Sequence, residues 1–444
     1  MGKQLTRVSV ALVGCGTVGG AVALRLTQDQ SLLQERTGLT IQLKYIVDMD
    51  FRRAEALGLP SSLFEKDLGK VLADPEVCIL VELVGGITVA KEIILHSLEA
   101  GKHVVTANKA LMAHAGTELL KVARQNRATL SFEASCGGGI PIIRALYDGL
   151  IANRVDALYG IVNGTCNYIL TRMTLEGISY AEALKEAQRD GLAEADPTLD
   201  VSGMDTAHKL TIMASLAFGQ RFSLDAIPVE GIDTLQTLDI QYGSELGYIV
   251  KLLAVASRLN GGVCLRVRPA FISRQHPLAW VSGPFNAISV YGHATGHTMY
   301  YGRGAGGSPT SSAVVADIVG AALGVHTAFF RSLRVWPDRS PRAKQVSPDE
   351  LISRFYLRFM VPDTVGVLAK IASVLGKNNI SIASVLQKEI PEDLATPSTV
   401  PVVIITHRAK EKNLRNALGK IRTLNIVQEE PVCIHILDEH EENL

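Results

Sequence analysis

A glycine-rich turn near the start of the chain constrains the fold most strongly. The apolar, β-branched run 7–13 ends in Gly14-Cys15-Gly16-Thr17-Val18-Gly19, and residues 21–26 have a helical pattern. The first glycine permits a tight turn, the second lets a ligand approach the backbone, and the third lets helix and strand pack closely. The helix N-terminus then favours a phosphate group. This context predicts a doubly wound α/β domain that binds a dinucleotide through Gly14, Gly16, Thr17, Val18 and Gly19.

The end of the second predicted strand, 41–47, bears on which dinucleotide binds. Asp48 follows that strand directly, where an acid accepts the ribose hydroxyls of NAD. Arg52 and Arg53 come a few residues later and are suited to the 2′-phosphate of NADP. Both coenzymes therefore remain open.

Two later strands of the same predicted sheet also end in candidate binding residues. Gly85 and Gly86 follow one of them, and backbone without side chains suits a flat ring or a sugar, although an ordinary turn is the alternative. Asn108 and Lys109 end the other. Because ligands of open α/β sheets bind beyond the carboxyl ends of the strands, both residues are placed to meet coenzyme or substrate. A solvated loop end is the alternative for Lys109.

The segment 133–140, Glu-Ala-Ser-Cys-Gly-Gly-Gly-Ile, follows a further predicted strand and permits two chemistries. Cys136 would need a base or a helix N-terminus to become a thiolate nucleophile, and no base lies nearby in the sequence. Alternatively, backbone carbonyls closed by the Glu133 carboxylate would bind a hard cation through oxygen. A structural turn without a ligand is the third possibility.

A polar loop at 191–210 runs directly into an apolar helix. Asp205 and Lys209 are four residues apart, so they lie on one helix face if Ser202 or Gly203 starts the helix. An exposed ion pair of little consequence is the alternative. The loop contains one lysine and four carboxylates, which are Glu194, Asp196, Asp200 and Asp205.

Two further turns add candidate binding groups. Asn163, Gly164 and Thr165 form a polar turn at a helix start, and its amides and hydroxyls can hold a carboxylate or the edge of a nicotinamide ring. Gly304 belongs to a second glycine-rich turn between a strand and a helix. That turn suits a chain that returns to close the coenzyme cleft, although a flexible hinge is the alternative.

The order of the predicted elements divides the chain into three units. A proline-containing, charged stretch at 336–350 is the clearest linker. The residues after it have a β-α-β-β-α-β pattern, which is typical of a ferredoxin-like fold. We predict a Rossmann-type domain at 1–140 completed by 305–335, an α+β catalytic and dimerisation domain at 141–304, and the ferredoxin-like domain at 351–440.

Composition excludes several classes of partner. The 444 residues carry 44 Lys and Arg against 44 Asp and Glu, so no net charge favours nucleic acid or an anionic membrane. The six cysteines are scattered, which indicates neither a disulfide framework nor a zinc site. No tract reaches the roughly 20 apolar residues of a membrane span, and no signal peptide is evident. We expect a cytoplasmic protein with a small-molecule substrate.

Five ordered motifs together resemble one family. The sequence is similar to homoserine dehydrogenases of the long, monofunctional bacterial form, which carries a C-terminal ACT domain. The resemblance rests on the glycine-rich turn at 14–19, on Thr-Ala-Asn-Lys at 106–109, on residues 133–143, on residues 160–170 and on Gly-x-x-Glu-x-Asp-Pro at 191–197 with Asp200, Asp205 and Lys209. It implies the interconversion of L-aspartate 4-semialdehyde and L-homoserine with NAD or NADP, in the biosynthesis of threonine, methionine and isoleucine.

The resemblance also implies roles for individual residues. Lys209 would donate or relay the proton and Lys109 would lie between the coenzyme and the carbonyl, although which lysine delivers the proton stays open. Glu194 and Asp205, with Asp200 in the same loop, would hold the substrate amino group. Glu133 and the carbonyls of Cys136, Gly138 and Ile140 would bind Na⁺ or K⁺, so Cys136 would not be a nucleophile. Gly191 and Gly304 would contact the coenzyme.

The ligand of the ACT domain, the oligomeric state and two alternative functions stay open. By resemblance, the ACT domain would bind threonine as a feedback effector; the alternative is a domain that only dimerises. The protein would be a homodimer or a homotetramer. Two other functions remain possible. One is a different NAD(P)-dependent amino-acid dehydrogenase, and the other is a non-catalytic sensor of coenzyme and amino acids.

Overall fold

A computed structural model describes residues 6–388 and 399–441, which form two sheets and the helices packed on them. The strands are β1 (Thr6–Val13), β2 (Leu39–Val47), β3 (Phe64–Glu65), β4 (Val77–Glu82), β5 (His103–Thr106), β6 (Leu130–Ser131), β7 (Val155–Ile161), β8 (Tyr248–Leu259), β9 (Gly262–Ser273), β10 (Phe285–Gly292), β11 (Gly296–Arg303), β12 (Ile352–Val361), β13 (Ile382–Leu386), β14 (Val400–Thr406), β15 (Ala409–Lys410) and β16 (Val432–Leu437). The helices are α1 (Thr17–Gln28), α2 (Gln30–Thr37), α3 (Arg52–Ala56), α4 (Leu68–Ala73), α5 (Val89–Glu99), α6 (Lys109–Gln125), α7 (Ile142–Arg144), α8 (Gly164–Glu176), α9 (Tyr180–Arg189), α10 (Thr198–Val201), α11 (Met204–Phe218), α12 (Thr237–Glu245), α13 (Gly307–Ala322), α14 (Val325–Ser332), α15 (Val367–Lys377) and α16 (Glu411–Arg422).

The first sheet has the strand order β3-β2-β1-β4-β5-β6, and every neighbouring pair is parallel. This is the order of a dinucleotide-binding doubly wound sheet, as predicted. The glycine-rich turn is required sterically, because a Cβ on Gly19 would lie 2.0 Å from the carbonyl oxygen of Gly14. Gly14 itself has φ of +93°, a backbone conformation that side chains disfavour.

Helix α13 returns to pack against this first sheet. Its apolar residues Val314 and Ile318 belong to the same buried cluster as Val10 and Leu12 of β1. The Arg25 side chain of α1 donates hydrogen bonds to the hydroxyls of Ser308 (3.0 Å) and Ser311 (2.8 Å), which fixes the start of α13 beside α1. The returning segment therefore contributes to the core of the coenzyme-binding unit.

The second sheet continues through two units of the chain. Strands β11-β10-β7-β8-β9 are antiparallel, and helices α8, α11 and α12 pack on them. The C-terminal strands follow in the order β16-β12-β14-β13, which is the ferredoxin-like arrangement predicted for β-α-β-β-α-β. The parallel pairing of β9 with β16 joins the two parts. One predicted strand, 380–389, ends at Glu389, which lies outside the described residues.

A buried ion pair holds the C-terminal domain on helix α12. The Arg358 Nε atom lies 2.6 Å from Asp239 Oδ1, and both side chains are almost fully buried. The Tyr356 hydroxyl donates a second hydrogen bond, of 2.9 Å, to the same carboxylate. Because neither charge can reach water, each depends on the other for compensation.

Arg358→Met should lower the free energy of unfolding by about 3–5 kcal/mol, because it leaves the Asp239 carboxylate buried without a positive partner. The double variant Arg358→Met/Asp239→Leu should recover part of that loss, since an apolar pair needs no compensation. Urea unfolding followed by circular dichroism measures both. Equal losses in the single and the double variant would contradict the interpretation.

The segment predicted as a linker, 336–350, is packed against both the coenzyme-binding and the catalytic domain. Trp336 is buried in the main core, and Asp338 pairs with Arg124 of α6 at 2.6 Å. The backbone of Lys344 accepts a hydrogen bond of 3.0 Å from Val263 of β9. A segment rich in proline and charge, which suggests a flexible linker, is therefore held in place here by contacts with distant elements. We call residues 336–350 the strap.

Within residues 6–388 and 399–441, no single helix is long and apolar enough to cross a membrane. Helices α13 and α14 together have the length and apolar composition of a membrane span, but the chain bends by 79° between them.

Candidate active site

Helix α11 places the predicted Asp205 and Lys209 in the interior. Gly203 precedes the helix with φ of +85°, and the helix starts at Met204, so the two side chains lie one turn apart on one face, as expected. Lys209 Nζ lies 2.8 Å from Asp205 Oδ2. Only 1% of Asp205 and 8% of Lys209 is exposed to solvent. The alternative of an exposed surface pair is therefore excluded.

A second lysine reaches the same carboxylate from the coenzyme-binding domain. Asn108 caps helix α6, since its Oδ1 atom accepts a hydrogen bond of 3.0 Å from the Leu111 backbone. Lys109, the first residue of that helix, places Nζ 2.7 Å from Asp205 Oδ1. Lys209 also donates a hydrogen bond of 2.6 Å to the Val162 carbonyl. Two lysines from different domains therefore share one buried carboxylate.

The turn before α8 completes this cluster. The Asn163 side-chain amide donates to Asp205 Oδ2 at 2.8 Å and to Asp200 Oδ1 at 2.7 Å. Its Oδ1 atom accepts a bond of 2.8 Å from the Cys166 backbone, so Asn163 also caps helix α8. Thr165 donates a hydrogen bond of 2.8 Å to the Leu192 carbonyl, which holds the 191–197 loop against the turn.

The lysines and the Asp205 carboxylate of this cluster stabilise each other's charged forms. Burial alone would raise the pKa of Asp205, but the charges of Lys209 and Lys109 outweigh it and hold the pKa well below its ordinary value. Burial would lower the pKa of Lys109, but the negative charge of Asp205 outweighs this effect, so the pKa of Lys109 is raised. The site can therefore stabilise a negative charge that develops near the lysines.

Glu82 is a site residue that sequence reasoning missed. Its buried carboxylate ends β4, and Oε1 accepts hydrogen bonds from the backbones of Val84 (2.9 Å) and Gly85 (3.0 Å). Its Oε2 atom accepts a bond of 2.6 Å from the Thr106 hydroxyl. An acid at the end of an otherwise apolar strand is the signal that could have revealed it, because such a charge needs buried partners.

Further hydrogen bonds connect this glycine turn to the start of α6. The Thr106 hydroxyl accepts a bond of 3.0 Å from the Asn108 backbone, and the Asn108 side chain donates one of 2.7 Å to the Gly86 carbonyl. The turn at Gly85 and Gly86 is thus tied to the residue that precedes Lys109. One hydrogen-bond network therefore sets the positions of both the glycine turn and Lys109.

The carboxyl edge of the first sheet has the shape of a dinucleotide site. A cavity of about 530 Å³ lies there, lined by Gly14, Gly16 and Asp48 among others. A Cβ on Gly16 would meet open space, and helix α1 has no side-chain cap, so its N-terminal amides can bind a phosphate. Asp48 Oδ2 accepts a bond of 2.7 Å from the Cys15 backbone. These residues fit a dinucleotide coenzyme.

Arg52 and Gly304, both predicted to contact the coenzyme, are engaged by other protein groups in this structure. Arg52 is exposed and pairs with Asp50, with Nε at 2.8 Å from Oδ2, so it would have to leave that carboxylate to reach a 2′-phosphate. Gly304 lies against Gly138, where an added Cβ on Gly138 would come within 2.6 Å of the Gly304 backbone. The second glycine turn is therefore packed on the loop that contains Cys136.

That loop fits a cation only in part. The Glu133 carboxylate caps α7, accepting hydrogen bonds of 2.8 Å from the backbones of Ile143 and Arg144, and burial raises its pKa to about 7. The Ile140 carbonyl accepts a bond of 2.8 Å from Ile142. Within the described ranges, no hydrogen bond reaches the carbonyls of Cys136 and Gly138. These oxygens suit a hard cation, and each Glu133 oxygen keeps one lone pair.

Cys136 lacks the properties of a nucleophile. The residue is fully buried, and burial raises the pKa of its thiol to about 12. Its Sγ atom lies 3.8 Å from the Lys209 carbonyl oxygen. A thiol in this environment stays protonated at neutral pH, as the sequence argument expected.

The structure does not bring every predicted residue into the cluster. Glu194 is exposed, and within residues 6–388 and 399–441 no hydrogen bond or ion pair joins its side chain to Lys109, Lys209 or Asn163. Gly191 ends helix α9 in the left-handed conformation and is also exposed. Both residues lie on the loop that Thr165 holds, so they border the site.

Comparison with known proteins identifies the family of this site. The family model for homoserine dehydrogenase matches residues 141–319, that for the homoserine dehydrogenase NAD-binding domain matches 14–133, and that for the ACT domain matches 355–424. The homoserine dehydrogenase of Neisseria gonorrhoeae is 41% identical over 437 residues, which is 98% of this chain and 99% of the relative. The chain belongs to the homoserine dehydrogenase family. The Bacillus subtilis member is 38% identical over 424 residues, covering 95% and 96% of the two chains.

Solved structures of family members agree with this assignment. A homoserine dehydrogenase from Thiobacillus denitrificans superposes with a TM-score of 0.91 at 39% identity and covers 98% of this chain and 99% of its own. A hyperthermophilic archaeal homoserine dehydrogenase in complex with NADPH gives a TM-score of 0.59 at 27% identity, covering 72% and 98%. The present chain is thus an NAD(P)-dependent oxidoreductase that acts on a CH–OH group, with a C-terminal ACT domain.

Proposed function

We propose that the protein interconverts L-homoserine and L-aspartate 4-semialdehyde. The observation that carries this proposal is the buried cluster in which Lys209 and Lys109 share the Asp205 carboxylate. Reduction of an aldehyde produces an alkoxide, which needs a proton donor and a positive charge close to its oxygen. The two lysines beside the Asp205 carboxylate supply these groups.

Each residue of the cluster has a distinct task in this mechanism. When bound, the coenzyme supplies or accepts the hydride at the carbon atom. Lys209 gives the proton to the nascent alkoxide, and in the oxidative direction it takes the hydroxyl proton. Lys109 adds positive charge beside the coenzyme, at the end of the network that Glu82 holds. Asp205 orients both ammonium groups, since each of its oxygens contacts one of them.

We infer that the substrate amino group binds beside this cluster. Lysines and Asn163 already engage both oxygens of Asp205, which favours Asp200 and Glu194 as the acids that face the substrate ammonium. Glu194 would move from its exposed position when substrate arrives. The polar turn formed by Asn163, Gly164 and Thr165 would hold the substrate carboxylate through its amides and hydroxyl.

NADP is the coenzyme that we propose, with NAD as the alternative. The archaeal relative is described with NADPH, and Arg53 lies near the glycine turn, since its Nε would be 3.6 Å from a Cβ on Gly20. Asp48 at the ribose position supports NAD instead. A Na⁺ or K⁺ ion held by Glu133 and the carbonyls of Cys136, Gly138 and Ile140 would fix the loop beneath the site.

Pathway, regulation and assembly are further parts of this proposal. The reaction would serve threonine, methionine and isoleucine biosynthesis, and threonine would act through the ACT domain. A homodimer or homotetramer would cover apolar side chains that a single chain exposes, such as Trp280 with 80% and Tyr301 with 54% of its surface in solvent.

The direct test is a coenzyme-dependent rate with purified protein. Homoserine should reduce NADP⁺ or NAD⁺ as followed at the absorbance of the reduced nicotinamide, whereas aspartate, serine and alanine should not. Addition of threonine should lower the rate if the ACT domain regulates it. Equal rates with several amino acids would favour a broader amino-acid dehydrogenase, and coenzyme binding without turnover would favour a sensor.

A further inference from the structure

A cavity of about 370 Å³ lies where the catalytic-domain strands of the second sheet meet the C-terminal domain. Tyr159, Arg258 and Arg266 line it from strands β7, β8 and β9. Arg408 and the segment 437–441 line it from the C-terminal side. The lysine cluster does not contribute to this cavity, so it is separate from the proposed active site.

Arg266 is the unusual residue of this cavity. Only 7% of the residue is exposed, and its Nη1 atom is buried without a hydrogen-bond partner. Within residues 6–388 and 399–441, the guanidinium forms no ion pair with a carboxylate. Burial accordingly lowers its pKa. A buried charge without compensation is costly, and a perturbed charged group that lines a cavity is a candidate ligand site.

The neighbouring arginine on the same strand provides an internal comparison. Arg268 lies two residues further along β9, on the same face of the sheet, and is equally buried. Its Nη1 atom lies 3.0 Å from Glu411 Oε1 of helix α16, and it also contacts His435 of β16. The fold therefore compensates one arginine of this pair across the junction and leaves the other uncompensated beside a cavity.

The remaining charges are distributed unevenly over the cavity. Arg408 is exposed at the mouth and lies 3.9 Å from Asp438 and 3.6 Å from Glu441, and Glu439 also lines the cavity. Arg258 is half-buried; its Nε atom donates to the Val155 carbonyl at 2.8 Å and lies 3.7 Å from Asp156. The C-terminal side thus carries more acidic than basic side chains, whereas Arg266 places a positive charge at the inner wall beside Tyr159. An anionic group would be bound at the inner wall.

We propose that this cavity binds a small organic carboxylate, whose negative group pairs with the Arg266 guanidinium across the junction between the catalytic sheet and the C-terminal domain. The arginine fork suits a planar carboxylate with two oxygens. A bound carboxylate would contact residues of both domains and would thereby strengthen their attachment. This inference does not depend on the proposed reaction, nor on threonine binding by the ACT domain.

The test compares ligand-induced stabilisation in the full chain and in Arg266→Met. Acetate, succinate, glycine and L-threonine are the probes, and thermal unfolding and titration calorimetry are the measurements. At least one probe should raise the melting temperature of the natural sequence by a few degrees and bind once per chain. The rise should disappear in Arg266→Met and persist in the control Arg354→Met, which changes an arginine beside Asp438 that does not line the cavity.

The ligand-free variant gives a second, independent result. Because Met fills a similar volume without a buried charge, Arg266→Met should melt at a higher temperature than the natural sequence when no probe is present. A lower melting temperature would assign Arg266 a purely structural role and overturn the proposal. So would the absence of a shift with all four probes.

Two further outcomes would overturn the proposal of a carboxylate site without bearing on the proposed reaction. A probe response that survives in Arg266→Met would place the binding site elsewhere, for example in the ACT domain. A change of oligomeric state in this variant, measured by analytical ultracentrifugation, would indicate that a second copy of the chain covers the cavity. Homoserine oxidation, measured in parallel, reports on the proposed function separately.

Discussion

Lys209→Met is expected to lower kcat for homoserine oxidation by about 10²–10⁴-fold, the range associated with loss of a positioned general acid–base group. The homoserine hydroxyl would lose the amine that accepts its proton, while Asp205 would keep Lys109 as its counter-charge. Coenzyme affinity should be unchanged, because Lys209 belongs to helix α11 and not to the first sheet. Steady-state kinetics and fluorescence titration with the reduced coenzyme measure the two effects.

A second buried lysine offers a matched control. Lys251 is also buried in the catalytic domain, where burial lowers its pKa to about 8, but it bonds to the Val281 carbonyl (2.6 Å) and to Asn167 (3.1 Å). Lys251→Met should therefore retain most of kcat. If Lys209→Met kept more than about a tenth of kcat, Lys209 would not be the group that takes the hydroxyl proton, and Lys109 would take its place.

Asp205→Asn should be the most destabilising single change in the site. It leaves the buried Lys209 ammonium and the partly exposed Lys109 ammonium beside a neutral amide. Removal of one partner from a buried ion pair costs about 3–5 kcal/mol. Activity should fall as well, because neither lysine would be oriented. Urea unfolding gives the free energy, and the same preparations give kcat.

The pH dependence of this loss follows from the shifted pKa values. The pKa of Asp205 is lowered, so its contribution to stability is present above its ordinary pKa and is lost only in strong acid. The pKa of Lys109 is raised, so its contribution is present below its ordinary pKa and is lost only at high pH. The difference between Asp205→Asn and the natural sequence should thus be nearly constant from about pH 5 to about pH 9.

The control for this prediction is Asp196→Asn in the adjoining loop. Asp196 is exposed and accepts bonds of 3.0 Å and 2.6 Å from the backbone and hydroxyl of Thr198. Its replacement should change the free energy of unfolding by about 1 kcal/mol or less. A loss in Asp205→Asn as small as that would show that the lysines are neutral in the folded protein.

Much of the fold could be predicted because its signals are local. The strand, glycine turn and helix at 7–26 require only that Gly14 and Gly19 permit a close approach, and the structure has that approach. The β-α-β-β-α-β order of the C-terminal domain also follows from local periodicity. The pairing of β9 with β16 and the packing of the 336–350 strap were not predictable, since they join segments with no shared local pattern.

The site divides in the same way. The sequence by itself determined that Asp205 and Lys209 face each other, because helical geometry places residues four apart on one face. Only the tertiary structure decided that this pair is buried, that Lys109 reaches Asp205 from another domain, that Glu82 ties the glycine turn to Asn108, and that Arg266 lacks the carboxylate that Arg268 has. The physical reason is that spacing fixes neighbours within an element, whereas burial and charge compensation depend on which elements pack together.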